Sequence, residues 1–212
     1  MSRFLYITLL FFAFQAAGQR HFEVWNKNQV DFDLSSKTRI KAAEKVYYVP
    51  ERSSVKLMYS EVLVNRHFKR WLEIGTGYRV TWYRNTANNW DVENRPMLSA
   101  DLKHSFNDFK LTFYNRFEYR IFKTPTNHFR YRHAFKLQFP KLTDWGMCFY
   151  TSEEVFVKLN GEGNHLSRIY GGLNAFSNKL LKVNMYYAFE MLKTEQKWNN
   201  ADIIGVDLKF SI

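Results

Sequence analysis

The stretch from Lys110 to Lys123, KLTFYNRFEYRIFK, alternates between two kinds of residue. Leu111, Phe113, Phe117, Tyr119 and Ile121 fall on one face of an extended strand. Lys110, Thr112, Tyr114, Arg116, Glu118 and Arg120 fall on the other. Successive strand residues point to opposite faces, so one face is apolar and the other charged. Similar stretches recur almost to the last residue. A series of such strands, apolar on one side and charged on the other, predicts an all-β chain that closes into a barrel with a polar interior.

The start of the chain differs from the rest. Arg3 precedes an apolar run from Phe4 to about Phe14, followed by Ala16-Ala17-Gly18. A basic start, a short apolar core and small residues predict a secretory signal peptide over residues 1–18, cleaved near Gly18-Gln19. The run is shorter than the roughly 20 apolar residues of a spanning helix. Residues 19–212 then form one domain, since no linker, low-complexity segment or charge block divides them.

Composition narrows the class. Charged residues make up 24% of the 212 and aromatics 18%. No second long apolar run exists, so a helical membrane protein does not fit. A barrel does, because only alternate residues need be apolar. The formal net charge of +11 would ordinarily raise nucleic acid as a partner. Here the basic residues are spread through alternating strands behind an export signal, and no nucleic-acid partner is expected. The single cysteine, Cys148, allows neither an internal disulfide nor a cysteine metal site.

Strands are predicted at about Val24–Leu34, Thr38–Val49, Val55–Val64, Arg70–Tyr83, Arg95–His104, Phe109–Lys123, Phe129–Phe139, Trp145–Leu159, His165–Ser177, Leu180–Lys193 and Ala201–Ile212. One set of connections is tight: Ser35–Lys37, Asn65–His67, Asn107-Asp108, Lys141–Asp144 and Asn178-Lys179. The other is longer or richer in loop formers: Pro50–Ser54, Asn85–Asn94, Thr124–His128, Asn160–Asn164 and Thr194–Asn200. Tight periplasmic turns and longer extracellular loops are the habit of outer-membrane barrels, and this assignment makes the C-terminus periplasmic. Single-chain bacterial barrels have even strand numbers, so the eleven segments imply that Gln19–Glu23 adds a strand or that one element is miscounted. The expectation is a transmembrane antiparallel up-and-down β-barrel of about ten to twelve strands.

A water-soluble barrel would carry the same alternation with its apolar face inside. Three features favour the membrane form: the strands are long, aromatics sit near many strand ends (Trp25, Tyr48, Trp71, Trp82, Tyr83, Phe139, Trp145, Phe210), and the last strand alternates through Ile204, Val206, Leu208, Phe210 and Ile212. The expected location is therefore the cell outer membrane, with lipid as the surrounding partner.

Six segments occur in an order that is itself informative: Gly75-Thr-Gly-Tyr-Arg79, Glu93-Asn-Arg95, Arg116-Phe-Glu-Tyr-Arg120, Arg130-Tyr-Arg132, Tyr150–Phe156 and Asn164–Gly172. In that order they resemble an uncharacterised bacterial outer-membrane barrel family, domain of unknown function 2490, over nearly the whole exported chain. The family often has His where this chain has Asn94. The resemblance implies an outer-membrane barrel and no established activity.

Hairpin register estimated from the turns places Arg120 opposite Arg95 and Arg132, Glu118 opposite Met97, Glu154 near Arg130, Arg132 and Arg168, and Arg168 near Glu190. Arg79 lies on the strand before Arg95. The predicted network is an interior belt toward the extracellular half: Arg79, Arg95, Arg116, Glu118, Arg120, Arg130, Arg132, Glu154, Arg168 and Glu190. Charges in a narrow interior must pair, and arginine offers a planar fork to carboxylates. The belt fits a salt-bridged filling of a small barrel, or a positively biased constriction for small solutes.

The alternative is a lipid-modifying or lipid-hydrolysing outer-membrane enzyme. It would need a nucleophile within reach of a base. His133 falls on the lipid-facing side with Thr151 or Ser152 as its cross-strand neighbour, but Ser152 has the opposite facing and no third group orients the pair. His21, His67, His104, His128 and His165 are scattered without metal spacing. No catalytic set, metal or cofactor is expected. Glycines 75, 77, 171, 172 and 205 lie inside strands, where they mark bends or close packing.

Overall fold

A computed structural model describes residues 21–212 apart from residues 124, 125, 162, 195 and 196. The leader expected over residues 1–18 lies outside the described residues. The strands are β1 (His21–Asp33), β2 (Thr38–Val49), β3 (Ser54–Lys69), β4 (Leu72–Arg84), β5 (Trp90–Phe106), β6 (Phe109–Phe122), β7 (His128–Gln138), β8 (Cys148–Lys158), β9 (Gly163–Ser177), β10 (Leu181–Thr194) and β11 (Lys197–Ser211). They close into a single barrel in which each strand bonds to its sequence neighbours and β1 bonds to β11. The all-β barrel read from the alternation is thus an eleven-stranded one.

An odd number of up-and-down strands leaves the first and last pointing the same way. The closing pair is accordingly parallel, running from His21↔Ala201 to Asp31↔Ser211, whereas the neighbours along the chain pair antiparallel, as between β1 and β2 or β10 and β11. The expected even count does not hold: residues 21–23 belong to β1 and form no strand of their own. The seam is finished at one rim by hydrogen bonds from Asp33 N to Ile212 O (3.3 Å) and from Ile212 N to Asp31 O (2.9 Å).

Local chemistry explains the turns. Asn107 and Asp108 both have positive φ, 43° and 67°, as a two-residue hairpin that follows strand twist requires, and Asn and Asp tolerate it best after glycine. Asn178 Oδ1 accepts from Leu180 N and Leu181 N, closing the β9–β10 turn in the manner of an Asx turn. Several boundaries differ from expectation, β11 among them, which starts at Lys197 and not Ala201; three have a local reason or change a connection. β3 runs on through Asn65-Arg66-His67 to Lys69, because Asn65 points inward and donates to Glu73 Oε1 at 2.5 Å. A polar run does not end a strand whose interior face is polar. β5 starts at Trp90, which shortens the expected 85–94 loop to residues 85–89. β8 starts at Cys148, so residues 139–147 form a longer connection than the expected tight turn, turned by Gly146 at φ 81°.

The two faces have opposite chemistry. Outward residues include Val62, Leu98, Phe113, Phe117, Phe149, Ile169, Met185 and Ile204, exposed by 49–62%. Inward residues include Glu61, Arg79, Glu93, Arg95, Glu118, Arg130, Glu154 and Glu190, all buried. Some exposed aromatics sit toward the strand ends, among them Phe68, Trp71, Phe106, Trp90 and Trp198, and others, such as Tyr78, Phe113 and Phe117, lie in mid-strand. Trp25 departs from the expected aromatic girdle. It shares the inward parity of Glu23 and Lys27, is 1% exposed, and donates its ring N–H to Glu23 Oε2 at 2.8 Å.

Candidate functional site

The rim holding the connections before β3, β5, β7, β9 and β11 is called the loop rim here, and the opposite one the turn rim. Toward the loop rim, inward arginines and glutamates join in three chains. Glu61 accepts from Arg79 and, at 3.1 Å, from Arg116. Glu93 takes both prongs of Arg120, at 2.6 and 2.8 Å, and also Arg95 at 2.7 Å. Arg95 reaches on to Glu118 (3.5 Å), which accepts two bonds from Arg130. Glu154 accepts from Arg132 and Arg168, and Arg168 continues to Glu190 at 2.6 Å.

All ten residues singled out from the sequence sit in these chains. Their partners differ in detail. Arg116 lies opposite Arg132, Glu118 opposite Arg130 and Arg120 opposite His128, so the expected Arg120–Arg132 pairing is displaced by four residues. An even displacement keeps every side chain on its face, which is why the inward set is unaffected. Glu154 pairs with Arg132 but not with Arg130, which Glu118 takes. Two members escaped the sequence reading, Glu61 and Glu93. Glu93 shares the parity of Arg95 two residues on, and that spacing places both on one face.

An aromatic ring also holds the belt. Phe156, 3% exposed, points inward with Arg130, Arg132 and Arg168 at 4.7, 5.3 and 5.0 Å from its centroid. Such cation–π contacts strengthen when desolvated. They let three guanidiniums converge where carboxylates alone could not surround them. On the seam side the wall is apolar: Trp25, Tyr150, Tyr186, Ala188 and Ile203 pack together inside the barrel. Gly205 and Gly172 make room for this. A Cβ on Gly205 would lie 2.1 Å from Tyr186 Cζ, and one on Gly172 2.3 Å from Tyr150 Cζ. The rings lie flat on neighbouring glycines, an arrangement that fills the gap a strand glycine leaves.

Two adjoining cavities lie inside the barrel among the described residues. The smaller, about 150 Å³, lies in the belt against Arg79, Arg95, Arg120, Arg130, Arg132 and Arg168. The larger, about 390 Å³, lies toward the turn rim against Lys27, Lys45, Asp101, Lys136, Asp207 and several tyrosines. Lys45, Tyr59, Arg132, Glu154 and Tyr170 line both, so the two adjoin across the Arg132–Glu154 pair.

A family model described as protein of unknown function (DUF2490) matches residues 22–201. The chain belongs to the DUF2490 family. The match spans β1 to the start of β11 and so takes in the whole belt and the smaller cavity, while Asp207 and Lys209 of the larger one lie beyond it. No curated protein matches the chain. In this DUF2490 chain the residues weighed for lipid chemistry do not meet. His133 is exposed on the outer face, opposite Asn115 and Val155, while Ser152 lines the larger cavity and donates to Phe135 O at 2.8 Å. Thr151 donates to Tyr170 O. Among the described residues no group of three or more His, Cys, Asp or Glu could hold a metal ion. Cys148 is buried and free.

Proposed function

We propose that this chain is an outer-membrane β-barrel whose Arg/Glu belt braces the interior and leaves only a narrow, anion-favouring passage for small solutes. The observation that carries this is the inversion of the two faces. Apolar side chains cover the outside of a closed barrel while buried ion pairs fill the inside. A continuous exposed apolar surface this extensive marks a membrane or a partner, and a barrel leaves no open strand edge to satisfy in lipid. The signal-like leader supports export.

The interior favours a small bore. The belt residues Arg79, Arg95, Arg116, Arg120, Arg130, Arg132 and Arg168 outnumber Glu61, Glu93, Glu118, Glu154 and Glu190, leaving a positive excess. Rings of charge set ion selectivity at such constrictions. The test is conductance of the refolded barrel in a planar bilayer under a salt gradient. Small, steady channels with an anion-selective reversal potential are expected. Silence from protein shown to be folded would remove the passage and leave a sealed, braced barrel.

A further inference from the structure

We infer that the larger cavity is a binding chamber for a small phosphate-bearing solute, held by Lys27, Lys45 and Lys136. The inference goes beyond the proposed passage and stands whether or not ions cross the barrel. It begins from charge left over. Among the cations that line the chamber, Lys41 pairs with Glu73, Lys209 with Asp31, Arg116 with Glu61 and Arg132 with Glu154. Lys27, Lys45 and Lys136 have no carboxylate within ion-pair distance among the described residues. Lys45 is 8% exposed, and its Nζ meets only a phenol, Tyr186 Oη at 3.1 Å, above the Trp25 ring at 4.1 Å. Lys136 Nζ sits 3.7 Å from the centroid of Tyr150.

Lys27 and Lys45 lie directly opposite each other on β1 and β2, and Lys136 on β7 faces the same space. Asp207 lines the same chamber, and its buried Oδ1 has no hydrogen-bond partner. Asp101 and Asp207 are the lining carboxylates in no ion pair among the described residues, and two carboxylates against three ammonium groups leave positive charge over. Burying such groups is costly unless something pairs with them. A compact oxyanion supplies that pairing, and lysine is an ordinary phosphate ligand acting as a point charge. At about 390 Å³ the chamber exceeds what a bare phosphate needs and falls in the range of small-molecule sites. Tyrosines 59, 114, 150, 170 and 186 supply phenols and ring faces for the body of the solute.

The test is calorimetric titration of the refolded full-length barrel in micelles with inorganic phosphate, glycerol 3-phosphate and, as the neutral control, glycerol. Saturable binding of glycerol 3-phosphate is expected, with none of glycerol. Phosphate alone should bind more weakly if the body of the ester contributes, and equally if the site reads only the oxyanion; either supports the chamber. Lys45→Gln and Lys136→Gln should each weaken binding about ten-fold or more, as loss of a charge-assisted bond does. Lys136→Met, which keeps the stem, is the second variant, and a heat-modifiable band on gels reports that each is folded. No saturable uptake by folded protein would overturn the chamber, as would binding unchanged in the Lys45→Gln/Lys136→Gln double variant. Binding with silent bilayers would uphold the chamber and overturn the passage; conductance without binding would do the reverse.

Discussion

Glu154→Ala is expected to lower the thermal midpoint of the refolded barrel by a margin visible in a simple gel-shift melt. Glu154 is 3% exposed and accepts from Arg132, Arg168 and the Tyr170 hydroxyl. Truncation leaves Arg132 without its carboxylate and Arg168 with Glu190 alone, beside a ring that already gathers three guanidiniums. Removing one partner of a buried pair costs about 3–5 kcal/mol, chiefly because the remaining charge stays buried. Glu154→Gln should lose nearly as much, since shape is kept but charge is not. An unchanged melt in both variants would show that the belt does not brace the barrel.

Leu98→Arg should be the most damaging change on the outer surface. Leu98 lies at the middle of β5, is 62% exposed, and sits opposite Phe117, itself 53% exposed. An arginine on the lipid face at the bilayer midplane costs about 2–4 kcal/mol. The same substitution on a water-facing surface would be nearly neutral, within about 0.5 kcal/mol. Denaturant titration in lipid vesicles measures the difference, with Leu98→Ala as the control for lost side-chain area. Equal stability of Leu98→Arg and Leu98→Ala would contradict lipid contact at this position.

Much of the fold was legible because the alternation in β6 and its counterparts is a local property: parity alone assigns each side chain to a face. What was not legible depends on tertiary closure. The parallel seam between β1 and β11 follows from an odd count, which local pattern cannot distinguish from a missed strand. The extension of β3 was hidden by Asn65, Arg66 and His67, which read as a turn but include an inward Asn bonded to Glu73. Trp25 resembles a girdle residue until its parity with Glu23 is followed inward. In the belt, parity identified ten members and Glu61 and Glu93 were missed, but pairing rests on register, which a four-residue displacement between β6 and β7 altered. The leftover charge of Lys27, Lys45 and Lys136 had no sequence signal, because it depends on which carboxylates the other cations have taken.

The proposed role requires that the apolar outer face meet lipid. The most direct measurement is the collision accessibility of nitroxides placed singly at residues 98, 113 and 117, in a Cys148→Ala background reconstituted in bilayers, with residue 108 in the β5–β6 turn as the reference. The membrane reading expects oxygen to reach residues 98, 113 and 117 readily while a water-soluble nickel complex does not, and the reverse at residue 108. Nickel access at the three strand positions equal to that at residue 108 would contradict it.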